Sequence, residues 1–337
     1  MNKVAVVIPC RNERAYIEKC VRSVLHSDYP AGLLRILVCD GKSTDGTVEI
    51  VQQISKSDPR VELLRNEQQT TPYALNLGIK YAVDCNVHII LGAHAEIAPD
   101  YIRLCVENLK NDPSVGCVGG ILQNVNEDST SEMIGKAMSS SFGVGNAHFR
   151  TGAKSGYVDT VAFGAYRKEV FEKAGYFDEE LTRNQDDEFN YRVTKNGFKI
   201  LLDPAIRAKY YVRAAFGKLL RQYYQYGFWK VYVNRKHKAV TSYRQLVPPL
   251  FVLFMMTAVA IPFVPFYWIV WCGIFFLYLA AAFTAALAQK GRIGEIPGVV
   301  FAFMLLHLGY GFGYIRGMVR FILLGMKPQE KHSSTSR

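Results

Sequence analysis

Residues 1–13 read Met-Asn-Lys-Val-Ala-Val-Val-Ile-Pro-Cys-Arg-Asn-Glu, and this stretch decides the fold. The run Val4–Pro9 is apolar and rich in β-branched residues, which is typical of an interior strand of a parallel sheet. Polar residues follow at 11–13, and apolar side chains then recur over residues 17–25 at the spacing of an amphipathic helix. The stretch therefore predicts a strand, a polar loop and a helix in succession.

The same alternation continues through the first two thirds of the chain. Further apolar runs predict strands at Arg35–Asp40, Val61–Leu64, Val87–Leu91, Val115–Val118, Tyr157–Ala165 and Phe198–Leu202. Helical spacing lies between most of them. Such alternation predicts an α/β fold with a Rossmann-like, mainly parallel sheet and helices on both faces.

Polar side chains fall where the predicted strands end, and ligands bind at the carboxyl ends of strands in such sheets. Residues 11–13, Asp40 and residues 92–96 all lie there. The Asp40 carboxylate can accept a hydrogen bond from a base imide or a ribose hydroxyl, although an acid in this position more often shapes a turn or caps a helix. Gly41 and Gly46 permit close approach of the backbone to a ligand.

The stretch Asn184–Arg192 reads Asn-Gln-Asp-Asp-Glu-Phe-Asn-Tyr-Arg and places three consecutive acids at the start of a predicted helix. Glu188 and Arg192 are four residues apart and can pair on one face. Acids in a first helical turn are favoured by the helix dipole alone. A plain helix start is therefore the alternative to a functional site here.

The net charge of +11 in this chain of 337 residues is confined to one segment. Pro204–Gly294 contains no Asp or Glu and 12 lysines and arginines, interleaved in its first part with aromatic residues. Aromatic and basic side chains together favour the headgroup layer of a bilayer. The alternative, a groove for nucleic acid, is less favoured because long apolar runs follow, and we predict no nucleic-acid partner.

Three near-continuous apolar runs follow, at Leu246–Val270, Phe266–Ala288 and Pro297–Ile315. A membrane span needs roughly 20 apolar residues, so two or three transmembrane helices are predicted. The basic cluster ahead of them predicts that the N-terminal domain lies in the cytoplasm. The basic tail after them prefers the same side, so the third run either crosses fully or is partly re-entrant or interfacial. We predict an α/β domain at 1–228, a basic-aromatic interfacial segment at 229–245, a membrane region at 246–324 and a polar tail at 325–337.

Six short motifs follow one another along the α/β part of the chain. They are Val-Val-Ile-Pro-Cys-Arg-Asn-Glu at 6–13, Cys-Asp-Gly-Lys-Ser-Thr-Asp-Gly-Thr at 39–47, Tyr-Ala-Leu-Asn-Leu-Gly-Ile at 73–79, Phe-Gly-Ala-Tyr-Arg at 163–167, Ala-Gly-Tyr-Phe-Asp-Glu-Glu at 174–180 and Gln-Asp-Asp-Glu-Phe-Asn-Tyr-Arg at 185–192. Together they resemble the family 2 glycosyltransferases of GT-A fold, over residues 4 to about 229. In detail they are similar to the bacterial glucosyltransferases of succinoglycan-type exopolysaccharide assembly, which also carry membrane segments after the catalytic domain.

The resemblance implies transfer of a sugar, expected to be glucose, from a UDP-linked or other nucleoside-diphosphate donor with inversion at the anomeric carbon. The family's base is the acid six residues before the arginine of the acid-rich motif, which gives Asp186. An acceptor hydroxyl needs such a positioned carboxylate to remove its proton. The resemblance places Gly164, Gln185, Asp187 and Trp229 on the acceptor side.

The same resemblance implies a donor site and a metal. The implied donor-binding residues are Pro9, Arg11, Asn12, Glu13, Asp40, Gly41, Asp45, Asn76 and Ala93. The family usually holds Mn²⁺ or Mg²⁺ with Asp-x-Asp after the fourth strand, but here residues 92–96 read Gly-Ala-His-Ala-Glu. Related exopolysaccharide enzymes often read Asp-Ala-His-Ala, so His94 is the implied metal ligand. The alternative is a degenerate site in which His94 binds no metal.

The expected acceptor is a saccharide on a polyprenyl-diphosphate carrier, and the expected location is the bacterial inner membrane, in several passes with the catalytic domain in the cytoplasm. Two alternatives stay open at this point. One is a non-catalytic, glycosyltransferase-like membrane scaffold with a degenerate metal site. The other is a processive synthase, which Gln222–Trp229 supports poorly because it only approximates Gln-x-x-Arg-Trp.

Overall fold

A computed structural model describes residues 2–145, 147–152, 155–212, 215–240, 243–289 and 291–328. Its contacts divide the chain into two compact units. The first unit combines Met1–Gln123 with His148–Tyr211, and the second combines Asn124–Ala147 with Val212–Arg337. The predicted basic positions 213 and 331 and most of the predicted tail lie outside the described residues.

The strands form one sheet. They are β1 Val4–Cys10, β2 Leu34–Asp40, β3 Val61–Arg65, β4 Val87–Ile90, β5 Ala95–Ile97, β6 Val115–Val125, β7 Gly156–Val158, β8 Ala165–Arg167 and β9 Lys199–Tyr211. Their order is β3-β2-β1-β4-β8-β6-β9-β5, with β7 paired to β9.

The helices alternate with these strands and then continue alone. They are α1 Ile17–Leu25, α2 Thr47–Ser57, α3 Thr71–Tyr81, α4 Tyr101–Asn111, α5 Ser129–Ser139, α6 Ser141–Val144, α7 His148–Thr151, α8 Lys168–Ala174, α9 Gln185–Lys195, α10 Phe216–His237, α11 Val247–Met256, α12 Tyr267–Leu287 and α13 Ile296–Gly317. Short 3₁₀ turns lie at Ala31–Leu33, Tyr243–Leu246, Thr257–Ala260 and Ile293–Glu295, and a π-helical turn at Met318–Leu323 follows α13.

One half of the sheet is parallel, as the alternation predicts. Strand β1 lies between β2 and β4 and pairs with both in parallel, and β3 pairs in parallel with β2. Residues 4–8 of β1 are completely buried, which explains why this strand reads as a continuous apolar run. The α/β fold class is confirmed.

The other half of the sheet is antiparallel. Strand β8 pairs antiparallel with β4 and β6, and β9 pairs antiparallel with β5 and β7. The single strand expected at Tyr157–Ala165 is wrong, because β7 and β8 are separate three-residue strands on either side of a loop. Strands this short carry too few residues for their alternation to be read from sequence.

An aromatic cluster fixes α9 to this sheet. The rings of Phe177 and Phe189 are 4.4 Å apart, those of Phe171 and Phe189 are stacked at 5.4 Å, and Tyr166 of β8 contacts both helices α8 and α9. Aromatic pairs at these distances add to the stability that burial provides. The start of α9 is therefore held in a fixed position above β8.

In the second unit, α10 and α13 pack closely because glycines replace side chains at their interface. A Cβ on Gly227 would overlap the carbonyl oxygen of Tyr310, and a Cβ on Gly313 would overlap that of Tyr224. Gly309 lies against residue 220 and Gly317 against residue 231. As the residue number rises along α10, the number of its contact residue on α13 rises too. The two helices therefore run in the same direction.

Three helical segments of the second unit are long and apolar enough to cross a membrane, judged by length and composition: Tyr243–Ala260, Tyr267–Leu287 and Ile293–Leu323. The first two expose large apolar side chains such as Leu250 and Phe276, respectively. The chain turns between them at residues 261–266, where prolines predicted a break. These helices suggest association with a membrane, and the number of crossings stays a prediction.

Candidate active site

The loops after β1 and β2 are joined into one surface by hydrogen bonds. The backbone N–H of Asn12 donates to Ser43 Oγ at 2.8 Å, and the N–H of Thr44 donates to Asn12 Oδ1 at 2.8 Å. The N–H of Arg14 donates to Asp45 Oδ2 at 3.0 Å. The carboxyl ends of the two strands thus present a connected polar surface, as expected for a parallel sheet.

Asp40 is buried at the end of β2 and is held in a turn. Its Oδ2 accepts from the N–H of Ser43 at 3.0 Å, its Oδ1 accepts from the Ser43 hydroxyl, and Cys10 Sγ lies 3.6 Å from Oδ1. Burial and the charge of Asp40 raise the pKa of the Cys10 thiol far above its ordinary value. The carboxylate therefore has a fixed orientation, and its contact with a nucleotide stays a prediction.

Asp45 supports the loop that carries it. Its carboxylate accepts hydrogen bonds from the hydroxyl and N–H of Thr47 and from the N–H of Arg14. Partial burial opposes ionisation, but these hydrogen bonds outweigh it and lower the pKa of Asp45. Thr47 is fully buried and its hydroxyl also accepts from the N–H of Glu13 at 2.9 Å. The geometry gives Asp45 a positioning role for the residues around Glu13.

The segment after β4 brings His94 next to Glu13. Nδ1 of His94 lies 3.6 Å from Oε1 of Glu13, and the two side chains are 21% and 9% exposed. The His94 ring meets Tyr210 edge-on at 5.1 Å, and its backbone carbonyl accepts from the N–H of Tyr211 at 3.3 Å. Strand β9 therefore sets the orientation of His94 from outside the motif, which sequence reasoning did not find.

Residue 92 lies close to the ring of Phe163. A Cβ on Gly92 would lie 3.0 Å from Cε1 of that ring. Phe163 has a positive φ of 51° and its carbonyl accepts from the Tyr101 hydroxyl at 2.6 Å. A side chain at position 92 would therefore require the Phe163 ring to shift by a few tenths of an ångström.

The donors near His94 fit a divalent cation in kind, because imidazole and carboxylate both bind Mn²⁺. There are only two such donors at this place, His94 and Glu13. Within the described ranges, no group of three or more His, Cys, Asp or Glu side chains is placed to hold a metal. Glu96, the next carboxylate along, accepts from the hydroxyl of Tyr211. His94 and Glu13 alone would leave a hard cation, which takes six or more ligands, short of oxygen donors.

Helix α9 presents Asp186 at an exposed position in its first turn. Oδ1 of Asp186 accepts from the N–H of Asp187 at 2.9 Å. One turn further, the buried Asn190 accepts from the Tyr166 hydroxyl and donates to Thr160 Oγ1, both at 2.9 Å. Residues four apart share a helix face, so Asp186 stands on the face that Asn190 fixes to β8.

Burial raises the pKa of Tyr166 well above its ordinary value, and the nearby Cys117 and Asp186 raise it further. Tyr166 therefore remains a neutral hydrogen-bond donor to Asn190.

The pairing predicted for Glu188 and Arg192 is confirmed. Nε and Nη2 of Arg192 each donate to a different oxygen of Glu188 at 2.8 Å. Arg192 also donates to the backbone carbonyls of Ala174 and Tyr176. The ion pair thus ties α9 to the end of α8 and leaves Asp186 as the exposed acid of the first turn.

The remaining predicted site residues fall into three groups. Gln185 lies beside Asp186, and its Oε1 is buried without a hydrogen-bond partner. A Cβ on Gly164 would lie 2.7 Å from Cys117 Sγ and one on Gly41 would lie 3.2 Å from Gln69 Cα, so both glycines are required by packing. Trp229 is buried in the second unit.

Asn76 and Ala93, predicted to contact the donor, are both buried. The Asn76 side chain donates to the Phe177 carbonyl and to Glu179 Oε1 and accepts from the Phe177 N–H, at 2.8–2.9 Å. Its amide therefore holds the loop before α9. Contact of these residues with a donor stays a prediction.

The site thus combines a polar surface at the ends of β1 and β2, the pair of His94 with Glu13, and an exposed aspartate on α9. Residues 5–175 match the sequence profile described as Glycosyl transferase family 2. The chain belongs to that family and is an enzyme of the glycosyltransferase class.

Two relatives match the chain over almost its whole length. It is 30% identical to the dolichyl N-acetyl-alpha-D-glucosaminyl phosphate 3-beta-D-2,3-diacetamido-2,3-dideoxy-beta-D-glucuronosyltransferase of Methanococcus voltae, covering 95% of this chain and 98% of the relative. It is 29% identical to the succinoglycan biosynthesis protein ExoA of Rhizobium meliloti, covering 94% and 95%. The resemblance to succinoglycan-type enzymes is confirmed.

Solved structures of similar fold include a mannosyltransferase from Pyrobaculum calidifontis in complex with GDP-Man and Mn²⁺. The TM-score is 0.63 at 19% identity, with 94% of this chain and 87% of that chain covered. The likeness supports the GT-A fold.

Proposed function

We propose that this protein is an inverting glycosyltransferase that moves a sugar from a nucleoside-diphosphate donor to a lipid-linked saccharide in the synthesis of a cell-surface polysaccharide. The observation that carries the proposal is the placement of Asp186. It is the exposed acid of an acid-rich turn whose other members are fixed by Glu188–Arg192 and by Asn190. UDP-glucose is the first donor to test, because the motifs resemble those of exopolysaccharide glucosyltransferases.

Asp186 has the chemistry of a general base. Its carboxylate takes the proton from an acceptor hydroxyl while that oxygen forms a bond to the anomeric carbon of the donor. The bond between the anomeric carbon and the diphosphate oxygen breaks, and the diphosphate leaves with the electron pair. A single displacement of this kind inverts the anomeric configuration.

The donor is proposed to lie on the surface made by the loops after β1 and β2. Residues 9–13 and Asp40 lie there and offer backbone and side-chain groups to a nucleotide. His94 and Glu13 are the pair that would hold a divalent cation. A bound Mn²⁺ or Mg²⁺ supplies positive charge that stabilises the leaving diphosphate.

The acceptor is proposed to be a saccharide carried on a polyprenyl diphosphate. The relative from Methanococcus voltae is named for a dolichyl-linked sugar phosphate and matches this chain almost end to end. The three apolar segments would place the enzyme at a membrane. The basic residues that precede the apolar segments support an enzyme of the bacterial inner membrane whose catalytic unit faces the cytoplasm.

The test uses the full chain purified in detergent, a panel of nucleotide sugars and a polyprenyl-diphosphate-linked saccharide. We expect product formation with one donor and a loss of at least about 100-fold in kcat for Asp186→Asn. Glu172→Gln, which changes an exposed carboxylate of the same unit, should leave kcat unchanged. Full turnover by Asp186→Asn would show that another group is the base.

The metal assignment has its own test. After treatment with a chelator, transfer should fall and should recover on addition of Mn²⁺. Binding of Mn²⁺ measured by electron paramagnetic resonance in the presence of UDP should weaken in His94→Ala. Equal Mn²⁺ binding by both proteins would remove His94 from the proposed pair.

A further inference from the structure

Arg320 lies in the π-helical turn that follows α13, and its side chain is partly buried. Nε and Nη2 are both buried, and neither has a hydrogen-bond partner in the described part of the chain. A buried N–H donor without an acceptor is unfavourable. The described residues therefore leave two donors of this guanidinium unsatisfied.

The nearby Arg235 donates hydrogen bonds to backbone carbonyls. It donates to the carbonyl of Phe321 at 2.7 Å, to that of Met326 at 2.8 Å and to that of Gly325 at 3.2 Å. These bonds satisfy carbonyls at the end of the helix. The N–H of Met326 also donates to the carbonyl of Arg320 at 3.1 Å. The backbone that carries Arg320 is thereby fixed, and its orphaned guanidinium is a feature of an ordered segment.

Arg316 is the second arginine of this surface. It precedes Arg320 by four residues, so the two share a helix face. Arg316 is exposed, and its Nη1 donates to the hydroxyl of Tyr224 at 2.9 Å. One end of α13 thus carries the exposed Arg316 and the partly buried Arg320.

The carboxylates of the second unit lie elsewhere. Among its described residues they are Glu127, Asp128, Glu132 and Glu295. Glu132 and Glu295 both pair with Lys136 of α5, and Glu295 directly precedes α13. Residues 295 and 320 are separated by roughly 37 Å at 1.5 Å per helical residue. The two arginines are thus far from that acidic group, and none of these described carboxylates pairs with them.

We infer that Arg320 and Arg316 form a binding site for a phosphate group carried by a lipid. The guanidinium of arginine recognises phosphate through paired hydrogen bonds, and the adjoining apolar helix of Ile293–Leu323 suits a molecule with a hydrocarbon tail. The phosphate has two sources: the diphosphate of a polyprenyl carrier, or the headgroup of an anionic phospholipid. The first source rests on the proposed function, and the second does not.

The test places the full chain in nanodiscs of phosphatidylcholine alone, with added phosphatidylglycerol, or with added undecaprenyl diphosphate. Lipid retained by the protein is counted by native mass spectrometry after release, and the thermal unfolding midpoint is measured in the same discs. We expect wild type to retain at least one of the two anionic lipids and to gain in midpoint. Arg320→Gln should retain it about tenfold less, since a hydrogen bond to a charged group is lost, and should gain no midpoint.

Arg292→Gln is the matched control, because Arg292 is an exposed arginine just before α13. It should behave as wild type. Arg320→Lys and Arg316→Gln provide second variants if Arg320→Gln does not fold, and both should retain the lipid less well. Retention of phosphatidylglycerol alone identifies a headgroup site, and retention of undecaprenyl diphosphate identifies a carrier site.

The inference is overturned if wild type retains neither lipid, or if retention is the same in the Arg320 variants. Because lipid retention is measured without sugar transfer, an inactive enzyme that still binds the lipid would contradict the proposed function and leave this site intact.

Discussion

Glu188 and Arg192 form a two-point ion pair one helical turn apart, in which Glu188 is only 1% exposed. The same guanidinium reaches the carbonyls of Ala174 and Tyr176. Removing the arginine leaves a buried carboxylate and two carbonyls without their donor. The pair is therefore a condition for the placement of Asp186, two residues before Glu188.

We predict that Arg192→Met destabilises the protein by about 3 kcal/mol, the cost of breaking a buried ion pair from one side. Arg103→Met is the control, because Arg103 pairs with Asp28 and Glu107 at an exposed site. It should cost less than about 1 kcal/mol. Thermal unfolding of the full chain in detergent measures both, and equal shifts would contradict the structural role of Arg192.

We predict that Gly92→Asp lowers the unfolding midpoint, because its Cβ would lie 3.0 Å from the ring of Phe163. Overpacking of this kind costs about 1–3 kcal/mol. In the double variant Gly92→Asp, Phe163→Ala the two effects should not add, since removing the ring removes the overlap. A double-mutant cycle on unfolding midpoints tests this, and strict additivity would show that the ring is not what excludes the aspartate.

We predict that Gly227→Ala strongly destabilises the second unit, because the new methyl group would overlap the carbonyl oxygen of Tyr310. Backbone cannot move aside as a side chain can, so the cost should exceed about 3 kcal/mol. Gly273→Ala on α12 is the matched control, since nothing lies within 4 Å of its Cβ. It should leave the unfolding midpoint unchanged or raise it. A similar response of both variants would argue against close packing of α10 and α13.

We predict that Asp112 contributes acid-dependent stability. Hydrogen bonds from Ser114 and from the Tyr157 hydroxyl lower the pKa of Asp112 to about 2, from an ordinary value of 3.8. A lowered folded-state pKa stabilises the fold fully above the unfolded value, and this stabilisation is lost as the pH falls through the folded value.

The difference in unfolding midpoint between wild type and Asp112→Asn should therefore be constant above about pH 5 and shrink between about pH 3.8 and pH 2. A difference that does not change with pH would show that the carboxylate charge is not involved. When Ser114→Ala is present in both proteins, the difference in unfolding midpoint caused by Asp112→Asn should be partly reduced, because one of the donors to Asp112 is removed.

The central strands β1 and β2 of the parallel half were predictable because they are buried apolar runs of seven residues. In the antiparallel half, β6 and β9 were predicted in part, at Val115–Val118 and Phe198–Leu202. The strands β5, β7 and β8 were not, since they have three residues each. The Glu188–Arg192 pair was predictable because a spacing of four within a helix fixes proximity.

Other parts of the site depend on partners distant in sequence. Gly92 lies against Phe163, and the ring of His94 packs on Tyr210. Asn190 is a site residue within a quoted motif that sequence reasoning missed. Its spacing of four from Asp186 is the signal that marks it, but its partners Tyr166 and Thr160 come from the fold.

The parallel packing of α10 and α13 affects the number of times that the chain is expected to cross a bilayer. Because α10 and α13 pack side by side, they lie at the same depth relative to a bilayer. Helix α10 carries Lys218, Arg221 and Lys236 along its length, and charged side chains are unfavourable in the hydrocarbon layer. Helix α13, packed on α10, is therefore not expected to lie across that layer. We therefore expect α11 and α12 to make the crossings as a hairpin, so that an even number of passes leaves α10 and α13 on one side of the membrane.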